Sequence, residues 1–467
     1  MLKEIGPANR DHAHRLLQCL TMAIRPLRVE ELAEILALDF DGAEGGIPKL
    51  KEDWRWEDRQ RSVLSTCSSL ITFVEDGDSR VIQFSHFSVK EFLTSNRLAT
   101  SKGDCLHFHI MPEPAHTTLA QASLGILLQL DGGSDDDWSG SSFPLAQYAG
   151  QHWVEHAQFG DVSSRIEDGM RRLFDSTEPY LAAWLQLHDI DDQWALFGSY
   201  RDRNGLGSPL YYASLCGFRD LAAHIIVEHP KLVNTKGGRN HSPLVAALHN
   251  RHFDVAELLY QHGATVNVIG GRTRTPLQVA SLSGIIDVVR WSLDHGADAD
   301  SQDHRDWTPL HLAAAKGRLE VVRTLLRHGV RIDAGCNGGY TALQLASAHG
   351  YVETVRLLLQ HGAAVNAPAK DHSTPLHQAS KRGRLEVSRL LLDHAADIHA
   401  EDKEGRTPLH VASSCGLTEL VRLLLDYGAS VDVRNKVGMT PLQVSQAETI
   451  EIVQMLTEHG TQVDKAL

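Results

Sequence analysis

Histidine, a side chain suited to acid–base chemistry and metal binding, is unusually frequent, with 27 in a chain of 467 residues. Cys105, His107 and His109, with His116 nearby, alternate along the chain so that an extended segment would turn a thiolate and imidazoles to one side, the ligand types zinc takes. No second cysteine pair joins them, and an ordinary loop or helical environment accounts for the same residues. His304-Arg305-Asp306 matches the triplet of a kinase catalytic loop. It runs on into Trp-Thr-Pro-Leu, however, and no Asp-Phe-Gly follows it. Nucleotide hydrolysis needs a glycine-rich loop ending in Gly-Lys-Ser/Thr, whose amides cradle phosphates while the lysine neutralises them; the dipeptide Gly-Lys does not occur. Neither a G-x-S-x-G elbow nor an H-E-x-x-H helix is found. The expectation is a protein that is not an enzyme, with no cofactor and no metal.

A binding surface remains. Arg272, Arg274, His304, Arg305, Trp307, Lys316, Tyr340, His349, Lys370, Asp371, Lys381, Arg382, Lys403, Glu404 and Arg406 precede, or lie late within, segments that recur along the second half of the chain. Most are basic, whereas the whole chain carries 45 Lys+Arg against 59 Asp+Glu, a formal charge of -14. That charge repels polyphosphate backbones and anionic membranes, so nucleic acid is an unfavourable partner. Trp307 and Tyr340, one period apart with arginines beside them, are residue types that dominate interface energetics. A protein partner with an acidic surface is expected.

These residues are positioned by a repeat. Thr-Pro-Leu followed by His or Gln, or a close variant, begins at Thr275, Thr308, Thr341, Thr374, Thr407 and Thr440, 33 residues apart each time, with looser copies at Ser208 and Ser242. Thr308 suits an N-cap and Pro309 the first helical position, where its missing N–H would be unpaired anyway. Leu310, Leu312, Ala313 and Ala314 give a narrow apolar face, and Gly317 ends the helix in the left-handed conformation. A second helix runs from Leu319 to Gly329. One such pair cannot bury both of its stripes, so the units must stack. Ala342 replaces the proline, Arg251 the inter-helix glycine and Ala395 the terminal glycine. His262, His295, His328, His361, His394 and His459 precede the terminal glycine or its substitute, and His311, His377 and His410 fill the fourth tetrad position. The last unit, with Gln446, Glu448, Glu451, Gln454 and Glu458, reads as a wetted cap.

From about Gly205 to the C-terminus this pattern resembles the ankyrin repeat, which implies a solenoid of eight units over 203–467 whose finger loops and first helices line one concave binding side.

The first hundred residues differ. Helical patterns at His12–Ile24, Val29–Leu38 and Asp58–Leu70 are followed by two strand-like runs, 71–74 and 81–84, around Asp76-Gly77-Asp78. The order is that of a winged helix. Arg25-Pro26-Leu27 with Glu30-Glu31-Leu32-Ala33, then His86-Phe87-Ser88-Val89-Lys90-Glu91-Phe92-Leu93, is similar to the segment that follows the NTPase domain in fungal NACHT-type signalling ATPases. In that family ankyrin repeats are a common C-terminal sensor. The resemblance implies the sensor or regulatory part of such a receptor, with the NTPase domain possible in a longer chain. Two alternatives are a regulatory fragment of an ATPase whose motor is absent, and DNA binding through the third helix, where Arg59 and Arg61 sit among acidic neighbours. Residues 101–202 read as a tryptophan-bearing helical connector covering the array, with a solvated loop at 132–142.

The expected fold is therefore mainly α: an ankyrin solenoid preceded by a winged-helix-like domain (1–100) and a helical connector. Scattered cysteines, a polar N-terminus and no apolar run near the roughly 20 residues a bilayer requires point to an intracellular, cytoplasmic setting without a membrane span.

Overall fold

The computed structural model describes the chain apart from residues 1, 3–4, 6–8, 41–45, 52–68, 78, 101–103, 131–142, 189, 191–206, 269–273, 446–449 and 467. The described residues form two compact units, Met1–Ala264 and Thr265–Leu467. The third N-terminal helix with Arg59 and Arg61, and the loop expected at 132–142, lie outside the described residues.

In the first unit, α1 (Arg10–Met22) leads into a two-residue strand, β1 (Leu27–Arg28), and then α2 (Val29–Leu36). The hairpin of Ile71–Asp76 and Ser79–Phe84 completes a three-stranded antiparallel sheet, with Leu27 opposite Ile82 and Arg28 opposite Val81. Sequence reading takes Arg25-Pro26-Leu27 only as a helix break, since two residues carry no alternation. In the fold the segment is an edge strand that fixes the hairpin against α2.

The motif at this corner has a physical role. Glu31 is fully buried and accepts from both terminal nitrogens of Arg25, at 2.9 and 2.6 Å, and from the backbone N–H and Nε of Arg28, at 2.7 and 3.1 Å. Arg25 also lies over the Tyr148 ring at 5.0 Å, on helix Ala146–Ala157 of the connector. Glu34, equally sequestered, accepts from the Leu145 backbone N–H at 2.7 Å. One apolar core runs through both segments, joining Leu16, Leu17, Leu32 and Ile35 to Leu119, Ile126 and Tyr148. Removing one partner of a buried, hydrogen-bonded pair leaves the other charge unpaired, so Glu31→Ala is expected to destabilise this unit by about 3 kcal/mol. Urea unfolding followed by near-ultraviolet circular dichroism checks this, since the buried Trp153 and Trp184 rings, 5.2 Å apart and edge-on, report the packing.

Connector helices Pro112–Leu127, Ala146–Ala157 and Tyr180–Leu187 follow, with two short helices, Val162–Arg165 and Glu167–Leu173, between the last two. Trp153 meets Phe218, in the first repeat, at 5.4 Å, and Gln158 Nε2 donates to the Cys216 carbonyl at 2.6 Å.

The repeats fold as helix pairs, for example Pro309–Ala314 with Leu319–Arg327 and Pro375–Lys381 with Leu385–Asp393. Ala342 opens its helix without a proline because Thr341 still caps it, accepting from the Gln344 N–H. Turn glycines are required twice over. Gly317 (φ +62) and Gly350 (φ +83) are left-handed, and a Cβ on either would come within 2.6 Å of Tyr351 or 2.8 Å of Arg384, side chains that the next unit lays across them.

The end of the array departs from expectation. The last first helix is only Pro441–Val444, and the next helix continues from Ile450 through Gly460 to Ala466, so His459 marks no terminus. Of the residues expected to wet the last unit, Glu451, Gln454 and Glu458 are exposed, while Gln446 and Glu448 lie outside the described residues; Val437, Met439, Leu442 and Ile450 are exposed as well.

Ala395 has φ +63, the left-handed conformation its glycine counterparts Gly329 and Gly362 adopt at +75 and +85. A side chain there costs about 1 kcal/mol, so Ala395→Gly is expected to raise the melting temperature by a few degrees. A lower melting temperature in calorimetry would contradict this.

Candidate protein-recognition surface

The four units that begin at Thr308, Thr341, Thr374 and Thr407 are each tied to the next through the fourth residue of the tetrad. Thr308 Oγ1 accepts from the His311 N–H, as an N-cap should, while the Thr308 backbone N–H donates to His311 Nδ1 at 3.2 Å. With Nδ1 accepting, the ring proton sits on Nε2, which donates across to the Tyr340 carbonyl of the following unit at 2.9 Å. His377 does the same to Arg406 at 2.8 Å, and His410 to Met439 at 3.1 Å. Where glutamine takes the position the pattern survives: Gln344 accepts from the Thr341 N–H at 2.8 Å and donates to the Ser373 carbonyl at 2.7 Å.

Burial pushes all three of these imidazoles below their ordinary 6.5, against the backbone carbonyls that favour the charged form. The second histidine series uses the other nitrogen. Nδ1 of His262, His295, His328, His361 and His394 donates to the carbonyl four residues earlier, closing the end of the second helix.

The sign of the pH effect follows. The fold holds His311, His377 and His410 neutral, so below about pH 6.5 the unfolded chain binds more protons than the folded one. Their stabilisation is intact above that pH and is lost as pH falls. Replacing all three by Gln, the residue other units use, is expected to flatten the acid limb of urea stability by up to about 1.4 kcal/mol per pH unit per histidine. An unchanged slope would contradict the assignment.

Between helix pairs the loops are tight hairpins. The Asp303 N–H donates to Trp307 O, Cys336 to Tyr340, Ala369 to Ser373, Asp402 to Arg406 and Asn435 to Met439, all at 2.9–3.1 Å. Asp303 Oδ1 accepts from the N–H groups of Arg305 and Trp307, and Asp402 Oδ1 from those of Glu404 and Arg406. Burial alone would push the Asp303 carboxyl up; those two N–H groups and the Arg274 guanidinium outweigh it and hold it below the usual range.

Against this frame the expected surface residues divide. Arg272 lies outside the described residues. Arg274 Nε donates to Asp303 at 3.1 Å, the Tyr340 hydroxyl to Asp371 at 2.9 Å, and Arg406 to Asp402 at 2.8 Å and Glu404 at 3.1 Å. Five of the expected residues, Arg274, Tyr340, Asp371, Glu404 and Arg406, are thus struts between or within fingers. The exposed Arg305, Lys316, Lys370, Lys381, Arg382 and Lys403 have no carboxylate partner among the described residues, whereas Arg323, Arg331, Arg356 and Arg422 do. His304 is exposed and Trp307 half-buried, its ring 6.4 Å from His311.

Lys316, His349 and Arg382 hold the same position in successive units. Slight burial, then Arg382, Lys316 and Arg384, keep the His349 imidazole below its ordinary value, as expected for a neutral ring within a column of cations. Sequence reading misses Arg318 and Arg384, whose Nε atoms donate to the Leu282 and Ala348 carbonyls at 3.3 and 3.2 Å, 36 residues back. It also misses Lys436, although the 33-residue period from Lys370 through Lys403 points to it.

Elsewhere, His116 Nδ1 is 2.8 Å from His156 Nδ1, and His107 lies by Asp11 at 3.4 Å. Among the described residues no group of His, Cys, Asp or Glu has the arrangement of a metal site, and no helix is long and apolar enough to cross a membrane.

Helix pairs stacked at a constant period, joined by hairpin fingers and offering variable exposed residues at fixed positions, define a repeat scaffold for binding other macromolecules. Residues 210–303, 277–369, 331–402 and 376–466 match the family profile of ankyrin repeats (3 copies), and the chain belongs to the ankyrin-repeat family. Residues 2–102 match the winged helix domain of GPI inositol-deacylase. The chain is also 30% identical over 264 residues to azaphilone pigments biosynthesis cluster protein L of Monascus ruber, a match covering 53% of this chain and 54% of that protein. The chain thus spans about half the length of the curated relative it matches.

Proposed function

We propose that the array is the sensor part of a fungal NACHT-type intracellular receptor and that its finger and first-helix surface grips a protein partner bearing an acidic face. Ankyrin repeats are a protein-binding scaffold without catalytic machinery of their own. The observation that carries the acidic-partner reading is the division of cations. Arg274 and Arg406 are consumed by Asp303 and Asp402, while Arg305, Lys316, Lys370, Lys381, Arg382 and Lys403 stay exposed with no carboxylate partner among the described residues, in a chain of net charge -14. Exposed cations free of intramolecular partners need not break an ion pair to meet a carboxylate, and complementary charge speeds encounter. Trp307 supplies apolar area beside them.

The receptor setting rests on the winged helix at residues 2–102 preceding the repeats, together with the similarity to a fungal cluster protein. On this reading the division into winged helix (1–100), connector (101–202) and array (203–467) is one of regulation and sensing, and the protein works in the cytoplasm without catalysing a reaction.

Affinity capture from a fungal extract tests the surface. Acidic proteins retained by the full chain at about 0.1 M salt should elute by about 0.5 M, as expected when charge pairs carry the binding. The Arg305→Glu/Trp307→Ala variant should lose about tenfold or more in affinity for them. Retention that ignores both salt and substitution would contradict the proposal.

A further inference from the structure

The fingers carry a ruler. Each is a hairpin with two arms, and neighbouring fingers are joined arm to arm. The Asn337 N–H donates to Arg305 O at 3.1 Å, Lys370 to Gly338 at 3.0 Å, Lys403 to Asp371 at 2.9 Å and Lys436 to Glu404 at 3.0 Å. Two hydrogen-bonded crossings per unit, each about 4.8 Å wide, set a pitch of about 10 Å. Lys370, Lys403 and Lys436 occupy one position in three consecutive fingers, all exposed and without a carboxylate partner among the described residues. The nearby acids are otherwise engaged: Asp371 accepts from Tyr340 and Ser373, and Glu404 pairs with Arg406.

The starts of Lys370 and Lys436 are set by the finger before each, while at the corresponding place before Lys403 stands His372 (φ +61). Gly339 (φ +75) and Gly405 (φ +71) present no Cβ, and one built there would stand 3.1 Å from Cγ of Lys370 and 3.2 Å from Cγ of Lys436. The stems of Lys370 and Lys436 therefore start against the preceding fingers, and the backbone bonds of all three lysines make them recur at the pitch of the array.

Resting on the acidic-partner reading above, we propose that the lysine ladder is a recognition strip for an acidic peptide segment in the polyproline II conformation, with a carboxylate at every third residue. Polyproline II has three residues per turn and rises about 3.1 Å per residue, so every third side chain returns to one face after about 9.3 Å. A β-strand returns a side chain to the same face every second residue, at about 6.8 Å, and so drifts out of register with the ladder. An α-helix meets the pitch only once in seven residues, at about 10.5 Å, which leaves six residues without a lysine between contacts. The polyproline II segment is also extended beforehand, so less entropy is lost on docking.

Fluorescence anisotropy with the full chain decides it. Three labelled peptides of equal length and charge carry Glu at every third position between Pro and Thr, Glu at every second position, or Glu every seventh on a helix-forming background. At about 0.1 M salt the first is expected to bind at least tenfold more tightly than the others. Lys403→Gln and Lys403→Glu should each remove most of that preference, while Arg356→Glu, on a second helix and paired with Glu353, leaves affinity within about twofold. Equal affinity for all three peptides, or preference for the second or third, overturns the strip but leaves the acidic-partner reading standing. Absence of binding by any peptide also overturns the strip, and the Arg305/Trp307 capture experiment then decides the earlier reading by itself.

Discussion

The hydrogen bonds made by the fourth residue of each Thr-Pro-Leu-His/Gln tetrad hold the array in register. Inside its own unit the side chain accepts from the threonine backbone N–H. Outward it donates to a carbonyl in the next finger, 29 residues on in the case of His311, His377 and His410. Both groups are buried, where an unmade hydrogen bond costs more than a made one contributes. A unit that shifts or rotates leaves two such groups unpaired, so spacing and orientation are set together. Leucine and alanine packing supplies most of the stability, but apolar contact alone would allow sliding.

Because the helix ends and finger turns satisfy one another, little polar capacity is left over. Asp303 and Asp402 close their own hairpins and hold arginines besides, and the imidazoles before the left-handed glycines cap the second helices. Residues with no structural task stand on the finger tips and at the ends of the first helices, and there cations outnumber anions. Recognition is what remains once the scaffold has claimed its own donors and acceptors. The N-terminal unit is built on another rule: the buried Glu31 carboxylate gathers Arg25, Arg28 and, through Arg25, the Tyr148 ring, so that winged helix and connector share one core.

Much of this is legible in the sequence because it is local or periodic. The 33-residue step, the Thr caps, the terminal glycines and the abnormal position of Ala395 all follow from spacing and backbone chemistry, and each appears in the fold. The roles of Arg274, Tyr340 and Asp371 are not readable within one unit. Arg274 meets a carboxylate 29 residues away and Tyr340 one 31 residues away, and a single repeat taken alone presents both as free finger residues. A signal existed, since Asp303 and Asp402 recur at the finger position three 33-residue steps apart, each with an arginine in reach. The strand at Leu27–Arg28 is too short to show alternation and exists only because the hairpin supplies its partner. In the last unit Glu451, Gln454 and Glu458 are exposed, in keeping with the polar composition, while the exposure of Val437 and Ile450 is not readable from composition because burial is decided by which neighbours are present.

The two histidine series provide the most direct check, because the same side chain is held in opposite tautomers at two fixed positions of one repeat. Long-range proton–nitrogen correlation spectra of the full chain at pH 7 should show His311, His377 and His410 as neutral rings protonated on Nε2, and His262, His328, His361 and His394 protonated on Nδ1. Imidazolium signals or Nδ1 protonation in the first series would mean that the bonds between units are not the ones described, and the account of the array would fail.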